Sequence, residues 1–337
     1  ELDMWSSTNN LTGNTASYNS RGIELWDSIH NYLTDNTASN NGRGIFLGVS
    51  RYNYLTGNTA NSNGIGIYLE LSWNNSLTGN TANSNNNYGI GLFFYDNNNL
   101  TGNTISNNRY GIYLYSSSTT TLIDNLFSNN GLFVSGASYQ NIVANNTVNG
   151  KTLVYLENAA DVTITAAGQV ILVNCNNITV NNQDVSNASV GMELVNTKNS
   201  RILNNTASYN DYGIYLRSSS TNNLTGNTAS YNDYGIYLSS STNNNLTGNT
   251  ASNNGNGIWL WWYSWNNNLT GNTANSNNDY GIYLYMSSTN LIYNNYFNNT
   301  NNTDDYGTNI WNITKTDGTN IIGGPYLGWK LLERLYR

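Results

Sequence analysis

Asp211 and Asp233 hold the same place in two copies of the phrase YNDYGIY, and Asp279 returns in a third copy, NDYGIY, two copies later. Glycoside hydrolysis needs two carboxyl groups ~5–10 Å apart, and a polysaccharide lyase adds carboxylates clustered for Ca2+ and a basic residue. Aspartates that recur at one loop position would supply vertical pairs. In YNDYGIY, however, Asp is a turn former that bonds its own backbone, and this reading carries more weight. Asp184, Glu193 and Lys198 form a second, weaker set, and pectinase-like motifs are absent. No catalytic residue is assigned.

Soft metals such as copper draw on His, Cys and Met. The candidates are His30, Cys175, Met4, Met192 and Met286, too scattered to predict a metal site, and no cofactor is expected. With one Cys no internal disulfide can form, and a lone Cys is most often a small, inert, buried hydrophobe. The net charge of -7, with only 12 Lys and Arg and no basic stripe, argues against nucleic acid and disfavours an anionic membrane surface. No apolar run approaches the roughly 20 residues that span a bilayer, and no export signal is visible. The opening ELDMWSS matches IELWDS inside a later repeat, which places the start in mid-repeat.

Aromatic residues carry the sharpest signal. The x position of GIxL holds Glu24, Phe46, Tyr68, Gly91, Tyr113, Tyr215, Tyr237, Trp259 and Tyr283, and two residues further on come Trp26, Phe93, Tyr115, Arg217, Trp261 and Tyr285. Strand alternation turns all of them outward. Stacked in register they would form an aromatic face, and a contiguous exposed apolar patch marks binding or association. Outward Tyr also stabilises strands by stacking across them. The Trp-rich GIWLWWYSW, residues 257–265, favours contact, so Tyr215, Tyr237, Trp259, Trp261, Tyr283 and Tyr285 are the expected ligand face. Its expected partner is a polysaccharide or a cell-surface protein, and the same face could join two copies.

These residues need an element that repeats them. The apolar residue opening LTGNT sits at Leu11, Leu33, Leu55, Leu77, Leu100 and Leu122, and again at Ile202, Leu224, Leu246, Leu269 and Ile292, with spacings of 22 or 23. Such a period signals a solenoid or array. Gly, Asn and Thr are poor helix formers, whereas 12% aromatic residues and 38% hydrophobic content exclude a disordered tract. The unit reads as strand, bend, strand, loop, strand. Leu224, Ala229, Ile236 and Leu238 point inward, and Gly226 and Asn227 make the corner. A lone coil cannot offset its ordering entropy, so only stacking at ~4.8 Å makes the sum favourable. The corner Asn recurs at Asn14, Asn36, Asn58, Asn80, Asn103, Asn125, Asn205, Asn227, Asn249, Asn272 and Asn295, and amides stacked at strand spacing form a structural ladder. Residues 142–201 break the rhythm with irregular coils, one of them short.

The repeat N.LTGNT.SNN.YGIYL resembles the parallel β-helix repeats of the NosD-like family, within the class of carbohydrate-binding and sugar-hydrolase β-helices. GKTLVYLENAADVTITAAGQVILVNCNNITV and NIWNITKTDGTNIIGGPYLG resemble archaeal cell-surface members more specifically. The resemblance implies an exported, right-handed parallel β-helix, and it brings the family's association with copper-enzyme maturation. Residues 1–311 are expected to form one β-helix of about fourteen coils, with 312–327 as a C-terminal family segment. After GGPYLG the family continues Gly-Asn-Tyr-Trp-Ser-Asp-Tyr, whereas this chain ends GWKLLERLYR. A codon series for those residues, read one base on, restores the family's text. Residues 328–337 are therefore expected to be a frameshifted tail, the alternative being a short helix. Sequons at Asn10, Asn74, Asn99, Asn177, Asn223, Asn245 and Asn268 fit an exported protein. The expected function is non-catalytic binding at the cell surface. The alternatives are a polysaccharide lyase or glycoside hydrolase, and an accessory protein in copper-enzyme maturation.

Overall fold

The computed structural model describes residues 6–94 and 97–312. Met4, the C-terminal family segment and residues 328–337 lie outside the described residues. The described chain is all-β, a β-solenoid of about fourteen turns, and it falls into two compact units, residues 1–153 and 154–337.

In the first unit, one sheet stacks the LTGN strands Asn10–Thr12, Tyr32–Thr34, Tyr54–Thr56, Ser76–Thr78, Asn99–Thr101, Thr121–Ile123 and Ile142–Ala144. A second stacks the GIxL strands from Arg21–Trp26 to Leu132–Ser135. Pairing is parallel and in register, so Leu33 lies beside Leu55 and Ile45 beside Ile67. The third side holds short strands such as Thr81–Asn83 and Thr104–Ser106. It ends differently, because Thr147–Val148 pairs antiparallel with Lys151–Glu157. The turn is Asn149–Gly150, both at positive φ. Asn-Gly is the preferred two-residue hairpin turn, since its backbone twist matches that of the strands.

The second unit repeats the plan after a short coil. Thr163–Ile164 pairs in parallel with Thr179–Asn181, and Asn177 reaches back only 16 residues to bond Asp161. From there the LTGN-type strands run to Ile310–Asn312, and GIxL strands from Gln169–Val173 to Thr303–Asp305 stack beside them. The expected second short strand around Ala229 is reduced here to single bridges, Thr206–Thr228 and Thr228–Thr250. Ala229 still points into the core and is fully buried.

Two local rules build each coil. Alternation sends Leu224, Ile236 and Leu238 inward, where each is fully buried and contributes roughly 1.5–3 kcal/mol. The corner after LT needs a left-handed residue. Gly226 (φ 66°), Gly248 and Gly271 provide it, and Asn204 and Asn294 replace Gly at the same place, the residues that adopt this region at least cost. Asn227, expected both to share that corner and to form the ladder, is not left-handed and lies beside the corner as the buried rung.

Candidate functional site

The GIxL strands of the second unit place Tyr215 beside Tyr237, Tyr237 beside Trp259, and Trp259 beside Tyr283. The next outward column brings Trp261 beside Tyr285. Tyr215 and Tyr237 stack at 5.0 Å between centroids and 9° between planes. Trp259 turns edge-on to Tyr237, at 89°, then lies 4.3 Å from Tyr283. Trp261 stacks on Tyr285 at 4.5 Å. Tyr212 and Tyr234, at the start of their strands, add a third column stacked at 5.1 Å. All six expected face residues therefore meet in one wall, each half-buried by its neighbours. Burial raises the Tyr237 phenol above its ordinary range, and the adjacent phenols of Tyr215, Tyr212 and Tyr234 push it further. Tyr283 is raised first by burial and then by Tyr306 and Asp304. The covered indole N–H of Trp259 has no hydrogen-bond partner in the protein.

The first unit carries its own outward column, with a different cover. Phe46 is outward by parity, yet it is fully buried. The guanidinium groups of Arg21 and Arg43 lie 4.5 and 4.7 Å from its ring centre, and Trp26 leans across it at 6.1 Å. Arg21 is also ion-paired to Glu24. At Gly91, where the column lacks a side chain, Phe93 and Tyr68 close over the gap, so that a Cβ would sit 3.0 Å from Phe93 Cε2.

The catalytic candidates are not brought together. Asp184 lies on an exposed bridge opposite Thr206, Glu193 is fully buried in the GIxL column beside Tyr215, and Lys198 is exposed on a third side, bridged to Ser220. Asp211 and Asp233 do sit in adjacent coils, where Tyr234 N bonds Asp211 O. Among the described residues no three His, Cys, Asp or Glu side chains group as metal ligands. His30 is exposed and stacks on Tyr52 at 5.2 Å, while Met192 and Cys175 are core residues. The Cys175 thiol lies 3.3 Å from both Leu156 O and Val173 O, either of which can accept its proton, and burial raises its pKa.

The corner Asn residues form the expected ladder. Asn227 Nδ2 donates to Asn249 Oδ1 in the next coil and to Ile202 O in the preceding one, while Asn227 N also donates to Asn249 Oδ1. Asn14, Asn36, Asn58, Asn80 and Asn103 bond upward in the same way. Three further ladders escaped the sequence reading. One runs through Asn31, Asn53 and Asn75, resuming at Asn222, Asn244 and Asn267. A second runs through Asn41, Asn63 and Asn85, and a third through Ser219, Ser241 and Ser264. The signal was present, because these residues recur every 22 or 23 residues, as the corner Asn does.

The family profile described as "Periplasmic copper-binding protein (NosD)" matches residues 3–135, 96–168 and 158–328. No curated protein matches the sequence. Among solved structures, the chain is similar to the Azotobacter vinelandii mannuronan C-5 epimerase AlgE4 A-module, at 11% identity and a TM-score of 0.35, covering 92% of this chain and 91% of that one. It is also similar to the periplasmic alginate epimerase AlgG, at 12% identity and a TM-score of 0.35, covering 89% of this chain and 77% of that one. An alginate lyase from Paenibacillus sp. str. FPU-7 gives 11% identity and a TM-score of 0.31, covering 90% of this chain and 92% of that one. With its parallel β-helix coils and a profile match along most of its length, the chain belongs to the NosD family.

Proposed function

We propose that this protein is an extracellular, non-catalytic surface β-helix that binds polysaccharide along the ring wall of its second unit. The observation that supports this reading is the run of contacts from Tyr215 through Tyr237, Trp259 and Tyr283 to Tyr306. An aromatic ring offers a flat apolar face to the C–H face of a sugar at low cost in side-chain entropy. Rings spaced by the coil repeat can meet successive sugars of one chain. Display outside the cell is supported by the sequon Asn residues Asn10, Asn74, Asn99, Asn177, Asn223, Asn245 and Asn268, none of which is buried.

The test is the double variant Trp259→Ser with Trp261→Ser, compared with the parent for retention on immobilised polysaccharides and for sedimentation. Lost retention with unchanged sedimentation supports glycan binding. A shift from dimer to monomer would instead assign the wall to self-association. A folded variant with both properties unchanged overturns the reading and leaves the rings as a cover for the strands. Release of reducing or unsaturated sugar by the parent would replace binding by hydrolase or lyase activity.

A further inference from the structure

Three large aromatic residues beside the wall are far more exposed than the wall itself: Trp262 (43%), Tyr263 (50%) and Trp265 (43%). Trp262 and Tyr263 contain a one-residue insertion, and Trp265 follows it. Trp261 pairs with Ser239, 22 residues back, but Ser264 N bonds Ser287 Oγ and Ser241 N bonds Ser264 Oγ, 23 residues on in each case. Where the coil below has Ser240 and the coil above has Met286, this coil has Trp262 and Tyr263. Ser240 N accordingly donates to two carbonyls, Trp261 O at 3.1 Å and Trp262 O at 2.8 Å. Trp262 (φ 40°) and Tyr263 (φ 58°) are the only two consecutive non-glycine residues at positive φ among the described residues. The same corner is left-handed in other coils too, at Val49, Leu71, Ser218, Ser240 and Met286, so what sets this coil apart is the second left-handed residue.

The bulge has a fixed base. Ser264 is buried in the serine ladder, and its one hydroxyl proton has two acceptors in reach, Trp261 O at 2.9 Å and Leu238 O at 3.1 Å. Above the base, Tyr263 stands nearly perpendicular to Trp262 (84°) and to Trp265 (85°), with centroids 5.7 and 5.3 Å apart. The rings brace one another edge-to-face and keep part of their surface in water. The corner segments 239–243, 261–266 and 285–289 contain no Asp, Glu, Lys, Arg or His, and are otherwise rich in Ser, Thr and Asn.

We infer that Trp262, Tyr263 and Trp265 form a second binding site that holds a single uncharged pyranose ring, at the strand end of the wall. The inference rests on the polysaccharide-binding reading but uses none of the wall residues. Partly exposed indoles suit the C–H face of a sugar, and the neighbouring hydroxyls and amides suit its hydroxyl groups. A uronate or a sulfated sugar would find no cation in these three corner segments, the nearest cation below in the column being Arg217, two coils from Trp261. A quaternary ammonium would find no enclosed cage, because the rings already touch edge-to-face.

The experiment uses the full chain and the double variant Trp262→Ser with Trp265→Ser, with Trp262→Phe and Trp265→Phe as the ring-preserving control. Immobilised mannan and β-glucan are the neutral probes, polygalacturonate the anionic one, and choline the cationic one. The Ser variant should bind the neutral probes on the order of tenfold more weakly, with parental melting, and the Phe variant should retain binding. Indole emission of the parent should shift on adding mannan oligosaccharide, and the Ser variant should lose that shift. If the Ser variant melts early, the Phe variant and the parent's emission shift decide. Parental affinity in a folded Ser variant overturns the site while leaving the wall reading intact. Preference for polygalacturonate or choline also overturns it. If the parent retains none of the neutral glycans, this site is overturned, and the wall reading fails with it only if polygalacturonate is not retained either.

Discussion

Asn249 donates through Nδ2 to Asn272 Oδ1 at 2.9 Å, and the same side chain accepts at Oδ1 from both N and Nδ2 of Asn227. With a further bond to Leu224 O, the buried amide is satisfied by neighbouring coils on both sides. Asn249→Ala would leave partners unpaired above and below, and each buried unsatisfied group costs about 1–3 kcal/mol. The variant should melt well below the parent in calorimetry or circular dichroism. Equal melting temperatures would remove the ladder from the stability of the fold.

The glycine that opens GIYL is held by the neighbouring coil. A Cβ on Gly235 would stand 2.6 Å from Gly257 O and 2.6 Å from Asn254 Nδ2. The first is backbone and the second a buried amide that donates to Ala229 O, so neither yields cheaply. Gly235→Ala should destabilise by about 1–3 kcal/mol, the usual range for overpacking, measured as a fall in the denaturation midpoint. An unchanged midpoint would show that the coils separate more easily than their pairing implies.

Alkaline pH should unfold the second unit through its wall. The Tyr237 phenol is raised above the ordinary value of 10.0, chiefly by burial, and Tyr280 and Tyr283 are raised in the same direction. The folded state therefore holds these protons more tightly than the unfolded state. Their stabilisation is complete below pH 10.0 and is lost as pH rises toward the folded pKa values. The melting temperature should fall as pH passes that value, with part of the tyrosinate absorbance appearing only on unfolding. Tyr237→Phe should lessen the pH dependence, and an unchanged profile would contradict the assignment.

Copper should find no tight stoichiometric site within the described residues. His30 stacks on Tyr52, Met192 lies in the core, the buried Cys175 thiol has two carbonyls in reach, and Met286 is exposed on a distant coil. Calorimetric titration with Cu(I) and Cu(II) should give only weak, non-stoichiometric heats. A defined tight site lost in His30→Ala would reverse this expectation.

Much of this architecture is written locally. Alternation in LTGNT and GIYL assigned Leu224, Ile236 and Leu238 to the core, and Gly226 to a left-handed corner, because side-chain direction and φ are properties of a short segment. The 22-residue clock then set which residues stack, including the corner ladder and the rows of rings. The sequence also held signals that went unread, namely the second and third Asn series, the serine series and the Asn149–Gly150 turn. Other features depend on what the adjacent coil contributes. Phe46 is buried because Arg21, Arg43 and Trp26 from neighbouring positions cover it, although its outward parity equals that of the half-buried Tyr237. Trp262 and Tyr263 became a bulge only because the coils on either side offer one residue, Ser240 or Met286, where this coil has two. By itself the sequence determined the direction and period of each side chain, while the exposure of each ring was decided by tertiary stacking, since cover comes largely from residues a full coil away.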